Sequence, residues 1–223
     1  TFMFVVTLAL MLRRMLGQNI LLNFFTGRYH RPVEEERIFM FLDIVSSTTI
    51  AERIGHLKFH SFLDEFFCDI TDAILAAGGE IYKYVGDEVI VNWKLSDATE
   101  NDRCIQSFFK IKKSIKDKEE KYLKKFGFIP HYRAGIHCGT VVVGEMGDFK
   151  REIAFLGDTV NTTARIQEAT KNYDKDLLIS SDMVERLSLP TDYQAEKLGM
   201  IKLRGKEEEI GLYSVEFQRR NEE

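Results

Sequence analysis

With 223 residues, 44% hydrophobic and 30% charged, the chain is long enough for one substantial core and a short appendage. Its net charge of -4 gives no general attraction for nucleic acid or an anionic membrane, so a polyanionic ligand must be held by local positive groups and metal. The three cysteines, Cys68, Cys104 and Cys138, are widely spaced with no CxxC pair, which points to reduced thiols in a cytoplasmic setting and away from a zinc site.

The first twelve residues, Thr1 to Leu12, are almost wholly apolar and run into Arg13-Arg14. Twelve residues are too few to cross a bilayer, which takes roughly twenty. The segment reads as the cytoplasmic end of a membrane helix with a positive-inside flank, and the competing readings are a signal-peptide remnant and an amphipathic dimerisation helix. Apolar spacing through Leu16, Ile20, Leu21 and Phe24 predicts one helix over 1–25. Gly27, Pro32 and the acidic run Glu34-Glu35-Glu36 then predict a break. Residues 1–34 are therefore expected to be a membrane-helix end and connector, 35–217 a globular body, and 218–223 a tail.

The body alternates between periods. A strand is predicted over 37–42, and the hydroxyl-rich turn Ser46-Ser47-Thr48-Thr49 is placed to cap a helix starting near Ile50. A second helix fits His56 to Ala77 and ends at Gly78-Gly79. Runs Glu80–Val85 and Glu88–Trp93 form a tight hairpin with Gly86-Asp87 at its tip. One lysine-rich amphipathic helix is predicted from about Thr99 to Phe126; its mixed charges read as a solvated face. A second hairpin is predicted from His131–His137 and Thr140–Gly144 around Cys138-Gly139. Strand Glu152–Phe155, helix Thr159–Ala169, strand Leu177–Ile179, helix Asp182–Leu187 and strands Glu196–Leu203 and Ile210–Phe217 complete the body. Strand pairs crossed by helices imply an α+β fold, one mostly antiparallel sheet covered by helices.

Two carboxylates stand out. Asp43 ends the apolar run from Ile38 to Leu42, and Asp87 sits at the tip of the first hairpin. A carboxylate beside so much apolar surface is costly without a cation, and two brought together suit a pair of hard divalent metals, the equipment of phosphoryl and nucleotidyl transfer. Read as residues alone, they equally fit two strand-end aspartates capping a loop or helix.

Four ordered segments carry a resemblance: Phe41-Leu42-Asp43-Ile44-Val45-Ser46-Ser47-Thr48, Lys83-Tyr84-Val85-Gly86-Asp87, Arg133-Ala134-Gly135-Ile136-His137-Cys138-Gly139, and Leu156-Gly157-Asp158-Thr159-Val160-Asn161-Thr162-Thr163-Ala164-Arg165. In order and spacing they resemble the class III nucleotidyl cyclase catalytic domain over about residues 35–217. The stretch Gly27-Arg28-Tyr29 with Pro32 resembles the juxtamembrane connector of bacterial adenylate cyclases. The resemblance implies a ferredoxin-like nucleotide cyclase fold preceded by an N-terminal helix. It also implies that the 3′-hydroxyl of a nucleoside triphosphate attacks its α-phosphate to give a cyclic nucleotide and pyrophosphate. Asp43, the adjoining Ile44 and Asp87 are expected to hold two Mg²⁺ or Mn²⁺ ions. The backbone through Ser46, Ser47 and Thr48 and the side chain of Arg133 are expected on the phosphates, Asn161 on the ribose, and Arg165 on the charge developing at the α-phosphate. Arg204, or Lys206 two residues on, stands where the family places a triphosphate-binding lysine.

Base choice is where the chain departs from the family pattern. Lys83 matches the lysine that reads adenine N1, but the second selector position is Ala154, which cannot accept a hydrogen bond from the adenine amino group. ATP is the expected substrate, with selectivity looser than usual. Lys83 and Asp87 are four residues apart across a hairpin tip, too close to serve opposite ends of one nucleotide. The family resolves this by pairing two domains head to tail, so the resemblance implies a homodimer with two equivalent sites, expected here as the cytoplasmic part of a cell-membrane protein with an upstream sensor. The rival readings are a guanylate or relaxed-specificity cyclase, a diguanylate cyclase, and a catalytically silent cyclase-like domain. A diguanylate cyclase would carry a Gly-Gly-Asp-Glu-Phe hairpin, which Val85-Gly86-Asp87-Glu88-Val89 only approximates.

Overall fold

A computed structural model of the chain describes residues 3, 4, 6, 7, 11, 27–98, 102–149, 151–187, 192–202 and 209–217. The helix predicted over 1–25 and the tail at 218–223 lie almost wholly outside these; residues 3, 4, 6, 7 and 11 are helical. Among the described residues, no helix is long and apolar enough to cross a membrane.

Strand β1 (Val33–Ile44) runs through the middle of the sheet, and its sequence explains why. Ile38, Met40, Leu42 and Ile44 point to one face, Phe39 and Phe41 to the other, and all six are buried. A strand covered on both sides reads as a continuous apolar run. It pairs antiparallel with β3 (Glu88–Lys94) along one edge and with β4 (Tyr132–Met146) along the other. The sheet begins with β2 (Glu80–Val85), passes through β3, β1 and β4, and continues to β6 (Leu177–Ser180), β8 (Glu209–Phe217) and β7 (Tyr193–Lys202). Strand β5 (Glu152–Leu156) pairs with the far end of β4. Among the described residues only the β4–β6 pairing is parallel.

One face of this sheet is covered by α1 (Ser47–Ile54), α2 (His56–Ala76), α4 (Arg103–Asp117) and α5 (Glu119–Phe126), and the short α3 (Leu95–Ala98) follows β3. Helix α2 buries Phe62, Phe66, Ile70 and Ile74, each four residues after the last, a single stripe along one side. Rings from several elements meet there: Phe62 lies 5.4 Å from Phe126 and Phe66 lies 5.5 Å from Tyr132, centroid to centroid. Truncating one such ring to alanine typically costs about 3–5 kcal/mol. On the opposite face, Phe39, Phe41, Ile90, Val141 and Val143 pack with Tyr82, Phe155 and helix α6 (Asp158–Tyr173). Helix α7 (Ser181–Arg186) is capped by Ser180, whose hydroxyl accepts from the Met183 N–H.

Three expectations from the sequence are corrected. β1 begins at Val33, so the acidic run Glu34-Glu35-Glu36 lies inside the strand; β4 pairs with it throughout, and Arg37 and the Tyr29 hydroxyl both donate to the Glu35 carboxylate. The hairpin around Cys138-Gly139 is instead one continuous strand, because β1 supplies a partner for every residue from Tyr132 to Val143. Gly139 is needed for packing, not for a turn: a Cβ there would stand 2.6 Å from the Thr159 hydroxyl. The single helix to Phe126 is two, α4 and α5, broken at Lys118 (φ −110°), with residues 99–101 outside those described. The break lets α5 turn Tyr122 and Phe126 onto Phe62.

The position of α6 depends on Gly135, where a built Cβ would meet the Gln167 backbone nitrogen at 2.3 Å. Gly135→Ala is therefore expected to lower stability by about 1–3 kcal/mol through overpacking, read as a fall in Tm. An unchanged Tm would mean that α6 is not seated by this contact.

Candidate active site

The end of β1 brings acidic side chains from two strands into one row. In the antiparallel registers Asp43 lies opposite Glu88 of β3 and opposite Arg133 of β4. Directly paired residues point to the same face, so Glu88, Asp43 and Arg133 stand side by side on the α6 face. Asp87, at the hairpin tip, shares a hydrogen bond with Asp43 and repels its charge. Burial, this hydrogen bond and this repulsion raise the Asp43 pKa to about 6, opposed by Lys171 and by a hydrogen bond from Gln167. Glu88 is pushed to about 7, first by burial and then by repulsion from Asp43, Asp87 and Glu168. Negative charge is gathered here without enough positive charge to balance it.

Such a seam fits divalent cations. Asp43 and Asp87 supply hard oxygen ligands. The Ile44 side chain is buried in the core, so only its backbone is left to contribute. Among the described residues no group of three or more His, Cys, Asp or Glu side chains is disposed to hold a metal by itself. Asp43 and Asp87 could serve a cation that is shared with an oxygen-rich ligand.

Beyond β1 the chain turns sharply into α1. Ser46 takes the N-cap position with φ 58° and ψ 32°, in the left-handed region, and its hydroxyl makes no capping bond. The expected side-chain cap from the hydroxyl-rich turn is therefore not made. The helix start is left without a side chain on its first N–H groups, beside the acidic seam, with Ser47 and Thr48 in its first turn. Arg133 donates through Nη2 to Asp174 Oδ1 at 2.7 Å; Asp174 is an exposed residue, and the buried Arg133 Nε has no partner.

Helix α6 has two sides with different assignments. Thr159, Thr162, Thr163, Ile166, Gln167 and Thr170 are buried, and Gln167 Nε2 donates to Asp43 Oδ2 at 3.4 Å. Asn161, which is exposed, and Arg165, which is half-buried, are one turn apart on the other side. On strand β2 of the hairpin, Lys83 sits 3.3 Å from Glu152 of β5 and against the Tyr82 ring. Lys83 and Asp87 thus reach different neighbours, β5 and β1. Ala154 pairs with Gly144 in β4. Arg204 and Lys206 lie outside the described residues.

Glu88, Gln167 and Glu152 were not anticipated from sequence. Glu88 carried a weak signal, being next to Asp87. Gln167 and Glu152 carried none, since their roles depend on contacts across 124 and 69 positions.

The fold and this seam define an α+β domain with paired carboxylates and an uncapped helix start at one end of its central strand. Residues 31–216 match the family model for the adenylate and guanylate cyclase catalytic domain, and the chain belongs to that family. It is 37% identical over 206 residues to Adenylate cyclase 2 of Rhizobium meliloti (strain 1021), an alignment covering 92% of this chain and 57% of that protein. It is 31% identical over 183 residues to an adenylate cyclase of Anabaena cylindrica, covering 79% of this chain and 36% of that protein. The chain thus spans about half or less of the length of these relatives. A bacterial light-regulated adenylyl cyclase shares the fold with a TM-score of 0.81 at 21% identity, covering 98% of this chain and 63% of that one.

The raised pKa values of Asp43 and Glu88 predict a pH dependence. A carboxylate whose folded pKa exceeds its unfolded value stabilises the fold at low pH, and that contribution is lost as pH rises through the folded value. For Asp43 and Glu88 the window is about pH 4 to 7. Metal-free Tm is expected to fall across this window, less steeply in Asp43→Asn, and Mn²⁺ is expected to raise Tm more at pH 8 than at pH 5. A Mn²⁺ effect independent of pH would contradict the assignment.

Proposed function

We propose that the chain is the catalytic unit of an adenylate cyclase, converting ATP to 3′,5′-cyclic AMP and pyrophosphate at the interface of a head-to-tail homodimer. The observation that carries this reading is the meeting of Asp43 and Asp87 at the end of the buried run Arg37 to Leu42, beside an open helix start. The adenylate cyclase relatives support the choice of reaction.

In the reaction the ribose 3′-hydroxyl loses its proton to water, its oxygen attacks the α-phosphorus, the bond from that phosphorus to the bridging oxygen breaks, and pyrophosphate leaves. Asp43, Asp87 and the Ile44 backbone would hold two Mg²⁺ or Mn²⁺ ions, which would supply acidification of the 3′-hydroxyl and neutralisation of phosphate charge. The N–H groups from Ser46 through Thr48 receive phosphate oxygens at a helix start, where the dipole favours negative charge. Arg133 exchanges its exposed Asp174 partner for phosphate, which also satisfies its buried Nε. Lys83 donates to adenine N1, Asn161 orients the ribose, and Arg165 stabilises the charge that develops at the α-phosphate. Arg204 or Lys206 completes the grip on the triphosphate.

Two copies are required by how α6 is used. Its buried side meets Asp43 through Gln167, whereas Asn161 and Arg165 leave from its other side. One copy therefore supplies Asp43, Asp87 and Arg133, and a second supplies Lys83, Asn161 and Arg165, giving two equivalent sites. The apolar run Thr1 to Leu12 followed by Arg13-Arg14 supports a place on the cytoplasmic side of the cell membrane, downstream of a sensor. Residues 1–34 then form the connector, and 35–217 form the catalytic body.

A second reading, GTP use or relaxed specificity, is favoured by Ala154, which offers no acceptor to the adenine amino group. Cyclic AMP and cyclic GMP formation with Mg²⁺ and Mn²⁺, over a protein dilution series, decides between them. ATP turnover is expected to exceed GTP turnover, to fall on dilution as dimers dissociate, and to drop at least about a thousandfold in Asp43→Ala. Cyclic AMP formation undiminished in Asp43→Ala would sink the metal assignment. Lys83→Glu is expected to lower kcat/KM for ATP at least about tenfold; unchanged turnover removes Lys83 from the site.

A further inference from the structure

The loss of an acceptor at Ala154 raises the question of what meets the 6-amino group of adenine. Strands β2 and β5 are not paired with each other, yet the Tyr82 and Phe155 rings pack edge to face, 4.9 Å apart, and bring them together. This contact sets Lys83 Nζ 3.3 Å from Glu152 Oε1. Glu152 and Ala154 are two apart along β5, so their side chains leave the same face of the strand. Gly144, opposite Ala154, adds no side chain to that face, and Met146, opposite Glu152, is half-exposed.

The Lys83–Glu152 pair contributes little to the fold. Its side chains are 42% and 44% exposed, and ion pairs this open to water are worth about 0–1 kcal/mol. What the pair does offer is a donor-only group and an acceptor-only group set next to each other. Adenine presents the complementary sequence on one edge, an acceptor at N1 and a donor at the 6-amino group. Guanine presents the reverse, a donor at N1 and an acceptor at position 6. In the same orientation guanine would face ammonium with N–H and carboxylate with a carbonyl oxygen, two mismatches at once.

We propose that Glu152 is a specificity-determining residue of the base site, its carboxylate accepting a hydrogen bond from the 6-amino group of adenine while Lys83 donates to N1. The proposal rests on the reading of the chain as an ATP-using cyclase. It assigns to Glu152 the role that Ala154 lacks the chemistry to fill, from the same face of the same strand.

The test compares ATP with purine riboside triphosphate, which lacks only the 6-amino group, by kcat/KM in the full chain. The wild type is expected to prefer ATP by about tenfold or more, the worth of a hydrogen bond to a charged acceptor. Glu152→Ala is expected to bring the two substrates within about threefold of each other, mainly by losing activity on ATP. Glu152→Gln, whose amide oxygen still accepts, is expected to keep most of the preference. A Glu152→Ala chain that retains the wild-type ratio, whether both rates fall together or neither falls, overturns the proposal, as does a wild type indifferent to the amino group. A wild type that cyclises GTP and not ATP fails the adenylate cyclase reading instead, and does so before any variant is made. Glu152 is exposed on a strand, so an unchanged Tm in both variants separates base reading from folding.

Discussion

The rest of the structure depends on negative charge held against its own repulsion. Asp43 follows a run buried on both faces, with Asp87 and Glu88 beside it, and Lys171 and an amide from Gln167 oppose the resulting rise in its pKa. A fold can hold such a cluster only if its core is strong enough to fix the strand that carries it. Here β1 is clamped between β3 and β4 from Arg37 to Asp43, with an aromatic layer of Phe62, Phe66, Phe108, Tyr122 and Tyr132 on one side and Phe39, Phe41 and Phe155 on the other. Stability is generated in those two layers and spent at the strand end, where under the proposed function cations and phosphate would supply the missing balance.

Helix α6 ties this seam to the rest of the proposed site. Because Gly135 has no side chain, the helix backbone approaches β4 closely enough for Gln167 to reach Asp43. The same rigid element presents Asn161 and Arg165 from its outer side. In the proposed homodimer a single helix takes part in two half-sites, its own carboxylates below and a second copy's nucleotide above. In such an arrangement any rotation of one copy against the other moves ribose and α-phosphate contacts relative to the metal-binding carboxylates, which gives an upstream connector a mechanical handle on the reaction. Tyr29, just before β1, is already fixed to the body by hydrogen bonds with Arg37 and Glu35.

Much of this was legible in the sequence where local pattern decides structure. The four-residue apolar spacing of α2, the Gly86-Asp87 hairpin and the unbroken run into Asp43 each gave the element that forms. Misreadings arose where distant contacts outweigh local cues. Cys138-Gly139 looks like a turn, but β1 provides hydrogen-bond partners straight through it, and the glycine serves the approach of Thr159. Glu34 to Glu36 look like a linker, but pairing with β4 and the Arg37–Tyr29 network keep them in the strand. Among the candidate site residues, those in contiguous motifs were nameable from the sequence. Gln167, Glu88 and Glu152 were not, since each is placed by a neighbour that only the folded sheet supplies.

The central claim is that one copy binds the metal ions while another holds sugar, base and leaving charge. Mixing inactive Asp43→Ala protein with inactive Arg165→Ala protein tests this directly, because mixed dimers contain one site with both lesions and one with neither. Recovery of cyclic AMP formation, approaching about a quarter of the wild-type rate at equal concentrations if half the dimers are mixed and each has one intact site, is the predicted result. No recovery, under conditions where subunits exchange and the wild type is active as a single chain, would contradict the account.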